Sequence, residues 1–158
     1  MTKSSRILTV LLLLSISIIG IAQEMKPEAG KLYNEGNALL KEGNVNEAIN
    51  KYDAALQIEK DYRIYYQKGV ALKKADKLAD SKVAFEECLK LNSGFEGALN
   101  ALGGVYFSMG NYTAAIENFE KVLNSNASSS VKTKVKKNIS LAYAKLGNES
   151  LAKGDANK

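Results

Sequence analysis

The chain has 158 residues, 46% of them hydrophobic, with 22 Lys and Arg against 17 Asp and Glu for a formal charge of +5. It contains no histidine and a single cysteine. That composition removes the commonest general base and metal ligand, and it excludes an intramolecular disulfide and a structural zinc site built on cysteine.

Residues 1–22 form the first segment. Lys3 and Arg6 precede an almost wholly apolar run from Ile7 to Ile21, and Gly20-Ile21-Ala22 supplies small residues where a signal peptidase inspects the chain. This is the layout of a secretory signal peptide, with cleavage expected between Ala22 and Gln23. The alternative is an anchor that stays attached through residues 7–22. The apolar run is shorter than the ~20 residues that cross a bilayer, and Ser15 and Ser17 interrupt it. The exported form would be residues 23–158, opening with a short leader over 23–28.

A pattern with a period near 34 residues follows. Gly36, Gly69 and Gly103 each lie within an apolar-periodic segment. Twelve residues after each comes a small residue (Ala48, Ser81, Ala115), and sixteen after each an aromatic one (Tyr52, Phe85, Phe119). Three residues further on stand Ala55, Cys88 and Val122. Each glycine shares a helical face with apolar neighbours, as in Leu32-Gly36-Leu39, Tyr65-Gly69-Leu72 and Leu99-Gly103-Tyr106. Turns are expected at Gly43-Asn44, Asp76-Lys77 and Gly110-Asn111. A compact residue lets two helices approach, and a facing ring fills the space beside it. One such hairpin cannot bury both its stripes, so it must stack on a neighbour. Cys88 is read as a buried small side chain, equivalent to Ala55 and Val122.

These residues resemble the signature of the tetratricopeptide repeat family. The likeness divides the chain into repeats at 29–61, 62–95 and 96–129, with a partial fourth repeat or capping helix and a basic tail over 130–158. It implies an all-α fold, a right-handed superhelical array of antiparallel helix pairs. The proline that often closes a repeat is replaced by Lys60, Ser93 and Ala127. Glu35 and Lys68 stand where the family prefers an aliphatic residue, so the first two repeats are expected to pack less ideally.

The last segment is basic. Residues 131–158 hold seven lysines against Glu149 and Asp155. Lys132, Lys134, Lys136 and Lys137 sit opposite an apolar stripe of Val131, Val135, Ile139, Ala142 and Leu146, which predicts an amphipathic helix that caps the array. Tyr143 and Gly147 fall where a fourth first helix and its turn would stand. A polar loop is expected over residues 124–130, with Ser129 or Ser130 capping the next helix. Asn111, Asn126, Asn138 and Asn148 each open an Asn-x-Ser/Thr triplet, which matters only in a host that glycosylates exported proteins.

The carboxylate pairs Asp76/Asp80 and Glu86/Glu87 have the spacing of a solvated helix face, and Gly103-Gly104 lies within a helical stripe rather than a phosphate loop. No catalytic residue, metal or cofactor is expected, and no nucleic acid, because basic and aromatic residues are not interleaved in a groove-binding motif. The resemblance implies a partner site on the concave face lined by each repeat's first helix. It falls on Tyr33, Asn37, Leu40 and Lys41, then Arg63, Tyr66, Val70 and Lys73, then Asn100, Gly104 and Phe107, with Lys137 and Lys145 continuing the line. Tyr33, Tyr66 and Phe107 are either exposed aromatic anchors of that site or rings packed against adjacent helices. One subset of the family clamps a C-terminal carboxylate; of its positions Asn37 fits, whereas Tyr33, Gln67, Gly97 and Ala101 do not.

The leading expectation is an exported, monomeric or weakly associating adaptor that binds a peptide or helix of another protein, in the periplasm or outside a Gram-negative cell. The alternatives are a structural, self-associating component of an envelope assembly and a membrane-anchored envelope protein.

Overall fold

The computed structural model describes residues 24–155, so the leader over residues 1–22 lies outside the described residues. Within them the chain is all-α. Three antiparallel pairs follow one another: α1 (Pro27–Glu42) with α2 (Val45–Ile58), α3 (Tyr62–Lys74) with α4 (Leu78–Leu91), and α5 (Glu96–Ser108) with α6 (Tyr112–Leu123). A final helix, α7 (Ser129–Asp155), packs on α6. Each helix touches the next in sequence, and α3 also touches α1 and α5, so α1, α3 and α5 form one layer.

Local chemistry sets the helix ends. Pro27 occupies the first turn of α1, where its missing N–H costs nothing. The Asp61 carboxylate accepts the Arg63 backbone N–H at 2.7 Å, and the Asn111 side chain accepts that of Ala114 at 3.1 Å, capping α3 and α6. The three turns inside the pairs share one geometry. Gly43, Asp76 and Gly110 have φ of 90°, 59° and 78°. The next residue's N–H then reaches back to Leu39, Leu72 and Tyr106 carbonyls, each at 2.9 Å, the Schellman closure of a helix end. The middle turn thus places an aspartate where the other two have glycine.

The glycine–ring contacts repeat with equal regularity. A Cβ at Gly36 would lie 2.6 Å from the Tyr52 ring, and the corresponding distances are 2.6 Å at Gly69 to Phe85 and 2.6 Å at Gly103 to Phe119. Those rings are buried, as are Ala48, Ser81 and Ala115 and the third set, Ala55, Cys88 and Val122. The Ser81 hydroxyl donates to the Gly69 carbonyl at 2.7 Å, which satisfies the one polar atom placed at that small-residue position. Burial pushes the Cys88 thiol up to about 12, the behaviour of an inert packing residue.

Glu35 and Lys68, the two departures from aliphatic packing, are used in ion pairs. Glu35 pairs with Lys51 of α2 at 2.6 Å, and Lys68 of α3 pairs with Asp53 of α2. In the third pair the same place holds Leu102, which is buried.

Two expectations for the end of the chain are corrected. The connection is shorter than 124–130, because α7 starts at Ser129 and its cap is Ser128, whose hydroxyl accepts the Val131 N–H at 3.4 Å. Ser125 closes the preceding turn by donating to Glu96 at 2.7 Å. Gly147 makes no turn: α7 continues through it to Asp155, 27 residues in all. A lone glycine costs a helix only about 1 kcal/mol, which the surrounding helix-forming residues offset. The capping stripe does form, with Val135 and Ala142 buried and Val131 and Ile139 partly so.

Two predictions test these constraints. Gly69→Ala forces a methyl into the Phe85 ring and should lose about 1–3 kcal/mol in urea unfolding, whereas Gly147→Ala, with open space around it, should be neutral or gain up to about 1 kcal/mol. Equal effects at the two sites would contradict the interlock. Asp76→Gly relieves left-handed strain and should raise stability by about 0.5–1 kcal/mol; an unchanged or lower urea midpoint would show that the turn carries no such strain.

Candidate functional site

The inner layer uses one side of α1, α3 and α5 for the glycine–ring packing and leaves the other side open. Two clefts run along that open side. One, of about 520 Å³, lies between α1 and α3 and is lined by Asn37, Leu40, Lys41, Gln67 and Lys74. The second, of about 270 Å³, lies among α3, α5 and α7, with Lys73, Gly104, Phe107, Ser108, Asn138 and Leu141 on its walls.

Asn37 and Lys41 therefore come together in the first cleft, and Lys73 and Phe107 in the second. Asn100 is exposed one turn before Gly104 and lines neither cleft. Asn37 also has a structural task, since its side-chain oxygen accepts the Tyr52 hydroxyl at 2.8 Å. Burial pushes that phenol up to about 12. Phe85 and Phe119 have no hydroxyl, so this tie is confined to the first pair.

Arg63 lines neither cleft. Its guanidinium grips the Asp61 carboxylate at 2.6 and 2.9 Å and lies 5.9 Å from the centre of the Tyr62 ring. The hydrogen bonds to Asp61 raise the Arg63 pKa, and those same bonds hold the Asp61 carboxyl low against the opposing effect of burial.

Of the two readings for Tyr33, Tyr66 and Phe107, the exposed anchor is corrected in favour of packing: all three are half-buried. Tyr33 leans on Tyr52, with centroids 6.2 Å apart. Tyr66 meets Phe95 edge-on at 5.0 Å and Phe85 at 5.9 Å, while Phe107 meets Tyr112 at 5.2 Å. A ring on the inner face is long enough to reach the ring of its partner or of the next helix, and edge-to-face contact favours that position over water. Each ring still presents part of its surface, and Phe107 still walls the second cleft.

The line along α7 runs through Asn138 and Leu141 rather than Lys137, and Lys145 lies one turn beyond Leu141. The connection after α6 differs in length from the other two, and this moves the phase of the last helix. Leu141, half exposed and outside the capping stripe, was the available sequence signal. Lys74 and Ser108 were also missed; each is the neighbour of a residue that was named.

Among the described residues no group of three or more His, Cys, Asp and Glu side chains is arranged to hold a metal ion. Nor is any helix among them long and apolar enough to cross a membrane.

Comparison with known proteins agrees with this geometry. Family models described as tetratricopeptide repeat match residues 29–62, 62–95 and 97–129. Tetratricopeptide repeat protein 33 of Xenopus laevis is 31% identical over 91 residues, 57% of this chain and 35% of the frog protein. Tetratricopeptide repeat protein 13 of Homo sapiens is 26% identical over 100 residues, 63% of this chain and 12% of the human protein. The chain thus spans about a third and about an eighth of these relatives. Among solved structures, MamA protein superposes with a TM-score of 0.68 at 27% identity, covering 78% of this chain and 68% of that one. The Sgt2 TPR domain from Aspergillus fumigatus gives 0.72 at 23%, over 82% and 85%. The first TPR of Spaghetti (RPAP3), solved with the HSP90 peptide SRMEEVD, gives 0.68 at 23%, over 79% and 99%. The last two are likenesses of fold. Three consecutive family matches, laid over three glycine–ring helix pairs of one geometry, show that the chain belongs to the tetratricopeptide repeat family.

Proposed function

We infer that this protein is an exported interaction module that holds a peptide or helix of another protein along the face formed by α1, α3, α5 and α7. The observation that carries the reading is the pair of open clefts along the side of α1, α3 and α5 turned away from the glycine–ring contacts. Apolar walls such as Leu40, Phe107 and Leu141 alternate there with amide and ammonium groups, the mixture that fixes a peptide through side-chain pockets and polar contacts. A protein of the same fold has been solved bound to a peptide, which supports a peptide ligand for this fold. Ordering a flexible ligand costs free energy, so affinity should be modest. Export, to the periplasm or the exterior, rests on the leader over residues 1–22.

A second reading, self-association, is favoured by Leu141, Tyr143 and Leu151, which α7 leaves 50%, 53% and 70% exposed.

Photo-crosslinking in the native extract tests both. A crosslinker placed at Asn100 on the inner face should capture a discrete foreign protein, while one at Glu117 on the outer helix α6 should not. The captured chain should begin at Gln23, and a start at Met1 or Thr2 would favour the anchored form. Capture of a second copy would favour self-association, and equal capture from both faces would count against a groove site.

A further inference from the structure

The clefts on the two sides of the molecule differ in charge. On the inner face, Lys41 and Lys74 line one cleft and Lys73 the other, with no carboxylate in either wall. On the outer face, the cleft walled by α2, α3 and α4 contains Asp53, Asp80 and Glu87 beside Lys68 and Lys77. The cleft walled by α4, α5 and α6 contains Glu86 and Glu117 beside Lys90 and Lys121. The origin is in the helices themselves. α3 carries Arg63, Lys68, Lys73 and Lys74 with no acid, whereas α1, α2, α4, α5 and α6 each hold one more acid than base, so the inner clefts take their charge from α3 and from Lys41.

Some of this positive charge is compensated internally, since Arg63 is held by Asp61 and Lys68 by Asp53. Lys41, Lys73 and Lys74 are not, because no carboxylate among the described residues lies within ion-pair distance of them. Gly104 keeps the floor open beneath Lys73: a Cβ there would lie 3.1 Å from the ammonium nitrogen. The same cleft offers Phe107 and Leu141 as apolar walls.

We propose that the groove selects an internal, acidic stretch of its partner, bound in extended form. A carboxylate side chain would sit on Lys73 with an adjoining apolar side chain between Phe107 and Leu141, and further carboxylates would meet Lys41 and Lys74. The proposal deepens the peptide-site reading and rests on it. An internal stretch fits better than a chain end. A terminal carboxylate needs converging donors, but the clamp positions hold Tyr33, Asn37, Gln67, Gly97 and Ala101, none cationic, and the Asn37 oxygen is engaged by Tyr52. Two separate cationic clefts also suit several carboxylates spread along a chain. Complementary charge of this kind acts mainly on specificity and encounter rate, and exposed contacts are screened by salt.

The test offers the exported chain two pools of random heptapeptides, both N-acetylated, one C-amidated and one with free C-termini, and sequences what is retained. The amidated pool should be enriched in Asp and Glu over Lys and Arg by at least about threefold, a bias of well under one factor of ten in affinity. Raising salt from about 50 mM to about 500 mM should shrink the bias, because the screening length falls severalfold. The variant carrying Lys41→Glu, Lys73→Glu and Lys74→Glu, confirmed as equally helical by circular dichroism, should lose the bias; Lys73→Gln should weaken it if that variant fails to fold. Peptides retained without acidic bias would overturn the proposal and leave the peptide site standing. Enrichment seen only with free C-termini would overturn it in favour of chain-end recognition. No peptide retained from either pool would sink the peptide-site reading itself.

Discussion

Each helix pair is closed by a glycine pressed against an aromatic ring, and the order of the rest of the molecule follows from that contact. At Gly36, Gly69 and Gly103 there is no room for a single methyl, and the ring opposite is buried. Close approach of the two backbones buries the small residues on either side of the ring, which fixes the angle of the pair. The first helix of each pair is then committed on one side, and the second helix of each pair also packs on the next pair. α7 ends the stack by laying Val135 and Ala142 onto the last pair.

The open inner face is a consequence of this geometry rather than a separate invention. Glycine occupies the side of α1, α3 and α5 that faces their partners, so their larger polar side chains collect on the opposite side. Gly104 belongs to that second side, and there its missing side chain makes room for the Lys73 ammonium instead of a ring. The ion pairs of Glu35 with Lys51 and Lys68 with Asp53 keep charge on the flanks of the array, and α3 brings its unpaired lysines to the groove.

Much of this was legible in the sequence because it depends on residue size and spacing. The glycine, small-residue and ring positions identified the pairing contacts, and Gly43, Asp76 and Gly110 marked the turns. What was not legible depends on how side chains settle after the helices have met. Tyr33, Tyr66 and Phe107 look like exposed anchors on a helical wheel, but each finds a neighbouring ring in space. Asn37 looks like a ligand group, but a hydroxyl present only in the first pair engages it. Gly147 looks like a turn, yet α7 runs straight through it, and the phase of α7 depends on a connection unlike the other two.

The claim that size complementarity between glycine and ring closes each pair is tested most directly by a double-mutant cycle on the third pair. Gly103→Ala, Phe119→Leu and the combination would be compared by urea unfolding. If the methyl and the ring compete for one space, the alanine should cost much less beside leucine than beside phenylalanine, with a coupling of about 1–2 kcal/mol. Effects that simply add, within about 0.3–0.5 kcal/mol, would mean that the two residues do not share that space and that something else sets the pair.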